Sequence, residues 1–269
     1  MLLNVQGQTA YCYTGGRAFD PSLPTAVFIH GAQHDHSVWA LQTRYFAHHG
    51  FGVLAVDLPG HGRSKGAPLT SVEQQAAWLL ALLSAADVES ARLIGHSMGS
   101  LIALEAAFQA PPRVQKLALV ATAYPMKVSD ALLDAAKDHE QQAIEMVNLW
   151  SHSGIAQKPS SPGPGFSVMG GNRRLMQRVA ALQLAPVFHT DFAACNNYRN
   201  GEAAAASVQC PTLFLLGQLD MMTSSRASAP LIKAIAHAIV TRLEHFGHAV
   251  MAEQPDATLA ALFGFAGGE

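Results

Sequence analysis

Cysteine, charge and long apolar runs are all scarce in this chain. Its 269 residues include three cysteines, Cys12, Cys195 and Cys210. An odd number at wide spacing suggests neither a disulfide framework nor a zinc site. Charged residues make up 13%, with a formal net charge of −2. That balance gives no reason to expect nucleic acid or an anionic membrane as a partner. No apolar stretch approaches the ~20 residues that span a bilayer. The start, Met1 to Gln6, lacks the basic region and long apolar run of a signal peptide. The expectation is a cytoplasmic protein that handles a small molecule without a metal or cofactor. Hydrophobic residues, at 49%, are plentiful enough for one large domain, or one domain with a substantial insertion.

Short apolar runs recur at Ala26–Ile29, Val53–Val56, Arg92–Ile94, Leu117–Val120, Leu213–Leu216 and Ile239–Val240. They do not alternate polar with apolar, as expected of strands covered on both faces in a parallel sheet. Helical patterns lie between them. Thr70 with Glu73 reads as a capping box, followed by Val72, Ala76, Leu79, Leu80 and Leu83 on one face. A helix from Met98 to Ala110 would bury Leu101, Ile102, Leu104 and Phe108 and stop at Pro111-Pro112. Another begins at Pro255 and buries Leu259, Leu262 and Phe263. This alternation implies a doubly wound α/β sheet. It breaks between Tyr124 and Val208, where residues 130–149 and 173–184 read as helices and 158–165 as a Pro/Gly/Ser-rich connector. The expected organisation is a core of residues 1–124 and 206–269, with a helical insertion at 125–205.

Chemistry concentrates at the strand ends. After Leu93-Ile94 comes Gly95-His96-Ser97-Met98-Gly99, and a helix pattern follows at once. Gly-x-Ser-x-Gly between strand and helix resembles the nucleophile elbow of the α/β hydrolases. There a sharp turn lifts the serine hydroxyl clear of the sheet, and a side chain at either glycine would crowd its neighbours. His30-Gly31-Ala32 resembles the loop after the third strand of that superfamily. The resemblance implies an oxyanion hole made by the backbone N–H groups of Ala32 and Met98, with His30 bracing the loop. Asp57-Leu58-Pro59-Gly60-His61-Gly62-Arg63-Ser64 matches a loop widespread in the superfamily, with Asp57 and Arg63 expected to tie it together.

The triad order on this fold is Ser, acid, His. Asp220 follows the run ending at Leu216, where the family places its acid. His248 lies in Gly247-His248, ahead of Glu253-Gln254-Pro255, which matches the family's ending. Imidazole can take the serine proton near neutrality and return it to a leaving group, and the acid fixes its tautomer. Asp220 could instead cap the following helix; Asp130 is a rival acid, His245 and His61 rival bases. His34 and His36 fall short of a metal ligand set and read as solvated loop or substrate-mouth residues.

The resemblance covers about the first 125 and last 60 residues. It implies an α/β-hydrolase fold of the serine-esterase branch, with the insertion as a helical cap over the site. Candidates for lining a substrate pocket are Trp39, Met146, Trp150, Phe166 and Phe192, with Met169 and Met176 beside them. Trp39 has the alternative of packing the loop down. Arg173-Arg174 reads as a solvated face or a carboxylate contact. The implied reaction is hydrolysis of a small, mainly hydrophobic ester, thioester or lactone through an acyl-enzyme. Relatives with the same triad cleave C–C bonds, act as cofactor-free haloperoxidases or transfer acyl groups, and a non-catalytic receptor on the same fold is the alternative of another class. Serine at the elbow argues against the haloalkane dehalogenase and epoxide hydrolase branches.

Overall fold

The computed structural model describes residues 1–153, 167–182 and 185–268. Its strands are β1 (Leu2–Val5), β2 (Gln8–Tyr13), β3 (Thr25–Ile29), β4 (Gly52–Val56), β5 (Ala91–His96), β6 (Val114–Val120), β7 (Thr212–Gly217) and β8 (Ala238–Leu243). They form one sheet in the order β1-β2-β4-β3-β5-β6-β7-β8. From β3 to β8 all pairings are parallel, while β2 runs antiparallel to both β1 and β4. The β1–β2 hairpin is not among the expected strands. Its turn, Gln6-Gly7, takes positive φ at both residues (51° and 81°), the geometry that matches strand twist in a tight hairpin.

The uniform apolarity of the central strands has a direct cause. Val27 and Ile29 of β3 pack into one hydrophobic cluster with Leu93, Leu117, Leu119 and Phe214. Ala26 and Phe28, the alternate residues, pack into a second with Ile94, Ala118, Val120 and Leu215. Side chains alternate between faces, so both faces are buried only if helices cover both. The first face is covered by α2 (Val72–Ala85), α3 (Met98–Gln109), α8 (Gly201–Ser207) and α9 (Ala229–Ala234). The second is covered by α1 (Ala40–His48), α10 (Val250–Glu253) and α11 (Pro255–Gly267).

Between β6 and β7 lie α4 (Asp130–Asp138), α5 (Glu140–Trp150), α6 (Val168–Leu182) and α7 (Val187–Asn197). They share a small core of their own, in which Leu132, Ile144, Val147, Met176, Phe188 and Phe192 meet. Residues 130–149 are two helices rather than one, broken at His139 (φ −141°, ψ 54°). The α7 sequence mixes β-branched, aromatic and polar residues without a strong apolar stripe, and it is not an expected helix. By contrast, α8 packs on α3 and α9, and its Ala204 and Ala205 enter the main core.

Two local expectations need correction. The N-cap of α2 is Ser71, whose hydroxyl accepts from Gln74 N at 3.2 Å, while Thr70 bonds the Gln74 side chain instead. One residue of register separates the two readings, because Thr70 and Ser71 are both capping types. Phe108 is 40% exposed, since the inward face of α3 is filled by Leu101, Leu104 and small residues. The connector 158–165 and the last two residues of 173–184 lie outside the described residues. No described helix is long and apolar enough to cross a membrane.

Candidate active site

The chain passes from β3 to β4 on one side of β3 and returns to β5 on the other. The loops leaving the C-terminal ends of β3 and β5 therefore diverge, and open α/β sheets bind ligands in that crevice. Ser97 sits there, between β5 and α3, at φ 53° and ψ −118°. This is a strained backbone for a residue with a Cβ, and it is held from both sides. Its N–H donates to Val120 O at 2.9 Å, and its carbonyl accepts from Ser100 N. The flanking glycines are obligatory for steric reasons. A Cβ on Gly95 would lie 2.1 Å from Gly99 O, and one on Gly99 would lie 2.4 Å from Ile29 O.

His248 and Asp220 meet. His248 Nδ1 lies 2.8 Å from Asp220 Oδ2. The other carboxylate oxygen accepts the N–H groups of Met222 (2.8 Å) and Thr223 (2.7 Å), so Asp220 is at once a turn cap and the partner of the imidazole. Thr223 Oγ1 donates to Asp220 Oδ2 at 2.8 Å and lies 3.1 Å from His248 Nδ1. Burial by itself would raise the Asp220 carboxyl, but the His248 ring and the Thr223 donors outweigh it and hold it below the usual range. The rivals are elsewhere: Asp130 is exposed in the first turn of α4, and His245 is an exposed turn residue with φ 68°. Among the described residues no hydrogen bond joins Ser97 Oγ to His248, a joint that commonly tightens only around substrate.

The loop after β3 lies against the elbow, since a Cβ built on Gly31 would be 3.2 Å from the Cβ of Ser97. The N–H groups of Ala32 and Met98 donate to no protein acceptor among the described residues. His30 is fully buried, and burial lowers it to about 4, which leaves it neutral. Its Nδ1–H donates to Gly31 O at 2.8 Å and its Nε2 accepts from Leu58 N at 3.2 Å, which ties the two loops together. Serine at a strained elbow, a histidine–carboxylate pair and two unengaged N–H groups thus occupy one end of a doubly wound sheet. The protein has the α/β-hydrolase fold.

Comparison with known proteins agrees. A family model described as alpha/beta hydrolase fold matches residues 24–149. The dihydrolipoyllysine-residue acetyltransferase component of the acetoin cleaving system of Cupriavidus necator is 35% identical over 123 residues, which is 45% of this chain but spans only 30% of that relative's length. The (E)-2-((N-methylformamido)methylene)succinate hydrolase of Acinetobacter baylyi is 23% identical over 247 residues, 88% of each chain. The structure of the enol-lactonase from Burkholderia xenovorans superposes with a TM-score of 0.84 at 21% identity, over 98% of this chain and 99% of that one.

A cavity of about 190 Å³ opens on Ser97 and Ala32, walled by Met126, Leu132, Trp150, Phe192 and Met222. Of the candidates for a pocket, Trp150 and Phe192 line it. Met146 packs on the core shared by α4 to α7, and Met176 is fully buried there. Phe166 lies outside the described residues. Trp39 is wholly buried beneath the loop, 5.4 Å from Phe28 and 6.3 Å from His96 between ring centroids, so it packs the loop down. A larger cavity of about 560 Å³ is lined by His96 and His248 with Val38, Leu41, Leu175 and Met251.

Several expectations about the loops change. His34 is not solvated: its ring spans Ala32 O (2.7 Å) and Asn172 Oδ1 (2.8 Å) on α6. The Asp57 tie uses the backbone N–H of Arg63 (2.8 Å), together with the N–H and Nδ1 of His36, while the Arg63 guanidinium sits over the Tyr11 ring. Asp35, His36 and Asp57 bring ligand-type atoms within 4.8 Å of one another. Their atoms are already engaged, Asp35 by Ser37 and by Arg178 of α6.

Sequence reading does not find how the helices between β6 and β7 grip the candidate site. Ser151 O, just past α5, accepts the N–H groups of His248 (2.9 Å) and Ala249 (3.0 Å). Glu253 accepts from Gly247 N at 3.0 Å through one oxygen, and from Ser153 N (3.0 Å) and Oγ (2.7 Å) through the other. The acidic residue of Glu253-Gln254-Pro255 is thus the clamp on the histidine loop. Glu253→Ala is expected to destabilise the fold by about 2 kcal/mol, the scale for hydrogen bonds to a charged group left unmade. Urea unfolding measures it, and an unchanged midpoint would show the clamp to be idle.

Proposed function

We propose that this α/β hydrolase cleaves an ester, thioester or lactone of a small, mainly apolar acid through an acyl-enzyme on Ser97. The observation that carries the reading is the His248–Asp220 pair beside a strained Ser97 that lines a cavity walled largely by apolar side chains. Ser97 Oγ attacks the acyl carbonyl as His248 Nε2 takes its proton, and the carbonyl oxygen becomes an oxyanion facing the N–H groups of Ala32 and Met98. Collapse of that adduct breaks the bond to the leaving group, which departs with the proton from Nε2. Water then gives a proton to Nε2 and attacks the acyl carbon. The acid leaves, and Ser97 regains its hydrogen.

Asp220 contributes by holding Nδ1–H, so that Nε2 is the free base, and by stabilising the imidazolium. The helices between β6 and β7 would act as a cap, since Trp150 and Phe192 contribute to the wall of the cavity beside Ser97. Hydrolases among the similar proteins support the class of reaction.

A fluorophosphonate probe tests the reading. Labelling of wild type but not of Ser97→Ala is expected, and p-nitrophenyl acetate and butyrate should be turned over faster than esters of eight carbons or more, because the cavity is small. Folded wild-type protein that takes no label would overturn the reading and favour a receptor.

A further inference from the structure

The 32–33 peptide unit of the loop beside Ser97 is held at both ends. Its carbonyl, Ala32 O, faces His34 Nδ1 at 2.7 Å. Its N–H, on Gln33, donates to Asp191 Oδ2 at 2.9 Å, and Asp191 comes from α7, 158 residues further along the chain. Gln33 takes φ 57°, a left-handed conformation that a side chain disfavours. Its side chain is anchored as well, donating through Nε2 to Glu140 Oε1 (3.2 Å) and Met176 O (3.3 Å). A strained residue persists only where its surroundings over-determine it.

Asp191 is wholly buried, and a lone carboxylate there would be costly and would also repel an oxyanion forming nearby. Its partner answers both problems. The same Oδ2 atom lies 2.8 Å from His61 Nε2, and His61 Nδ1 lies 3.1 Å from Pro59 O. Both ring nitrogens face acceptors, so both must carry protons. The other groups facing His61 agree with a cation: Asp57 is close by on the same loop, and the His30 ring, 4.8 Å away between centroids, is neutral with both nitrogens engaged. Burial pulls the His61 pKa down, but Asp191 more than offsets it, and the result lies above the ordinary histidine value.

We propose that Asp191 is a positioning residue for the oxyanion hole, setting the Ala32 N–H through Gln33, with protonated His61 as the buried counter-ion that keeps the brace neutral. The role of Ala32 rests on the proposed acyl-enzyme reading; the brace itself does not. The insertion then does more than roof the site, because it completes the geometry in which the oxyanion is met.

The sign of the pH effect follows from the raised pKa. His61 keeps its charge below its raised folded-state pKa. That charge is lost as pH rises through the folded-state pKa of His61, which strands a bare carboxylate beside the hole. Wild type should therefore lose kcat on an alkaline limb.

Two variants separate positioning from mere structure. Asp191→Ala removes the acceptor, and kcat on p-nitrophenyl butyrate should fall about 100-fold with KM little changed, as for a misplaced transition-state contact. Asp191→Asn keeps an oxygen for Gln33 N–H without the charge, so it should recover most of that loss near neutrality and lack the alkaline limb. Hydrogen exchange over residues 31–36 gives a readout free of activity. It should quicken about tenfold in Asp191→Ala and change little in Asp191→Asn. Unchanged exchange in Asp191→Ala overturns the brace whether or not the protein hydrolyses anything. Quickened exchange with unchanged kcat overturns its link to the oxyanion. Should Asp191→Ala fail to fold, an Asp191→Asn profile that keeps the wild-type alkaline limb is the refuting result. A wild type that takes no fluorophosphonate while its exchange pattern responds as stated sinks the acyl-enzyme reading and leaves the brace standing.

Discussion

Ser97→Ala should fold as wild type does and hydrolyse p-nitrophenyl butyrate at least about 10⁴-fold more slowly, with no burst of p-nitrophenol. The loss is expected in kcat, because in the proposed acyl-enzyme route the hydroxyl makes and breaks the covalent bond and contributes little to holding the substrate. The elbow adds a second, opposite effect. Ser97 holds φ 53° only because Gly95 and Gly99 let helix and strands approach to distances that a Cβ forbids. Ser97→Gly removes the same hydroxyl and also the Cβ that makes this conformation unfavourable. It should therefore be inactive yet more stable than Ser97→Ala, by about 1 kcal/mol. Thermal unfolding of the two variants side by side measures the strain. Equal stability would mean that the left-handed turn carries no cost at this site.

Asp220→Asn should lower kcat by about 10⁴-fold at neutral pH with a much smaller change in KM. Asp220 Oδ2 faces His248 Nδ1 at 2.8 Å and makes that nitrogen the donor. The amide keeps the shape but can present its NH₂ to Nδ1, which moves the ring proton to Nε2, the nitrogen that the proposed mechanism needs as free base. Thr223 Oγ1, 3.1 Å from the same nitrogen, can accept its proton or donate to it, and so cannot fix the tautomer alone. The acid also bears on stability. Its carboxyl titrates below the usual range despite burial, so the stabilisation from ionised Asp220 is present above the unfolded-state pKa and is lost as pH falls through the depressed folded value. Asp220→Asn should flatten that acid limb in a plot of unfolding free energy against pH. A variant that keeps both the limb and the turnover would remove Asp220 from the relay.

The parts legible in the sequence are those that short-range chemistry dictates. Gly95 to Gly99 declares an elbow because only glycine survives contacts of 2.1–2.4 Å from a Cβ position to backbone. The strands declare themselves because residues facing opposite ways, such as Ala26 and Val27, both enter packed cores. Trp39, His34 and Asp191 are different. Nothing local distinguishes a tryptophan beneath a loop from one facing a cavity, a solvated histidine from one spanning Ala32 and Asn172, or an aspartate inside α7 from any other. Their roles depend on distant partners, His96, Asn172 and Gln33, which lie 57, 138 and 158 positions away. Gln33 carried a faint signal in its place directly after Ala32, but its left-handed φ is visible only in three dimensions.

By itself, then, the chain's order of residues determined the doubly wound sheet, the elbow at 97 and the acid and imidazole at 220 and 248, because periodicity and steric exclusion act between near neighbours. Only the folded molecule decided how the β3 loop and the histidine loop are held. Asp191 pairs with His61 and Gln33, and Glu253 joins Gly247 to Ser153. Such buried charged contacts are selected by what folding brings within about 3 Å, where low dielectric makes a matched partner decisive, and no local pattern encodes that meeting.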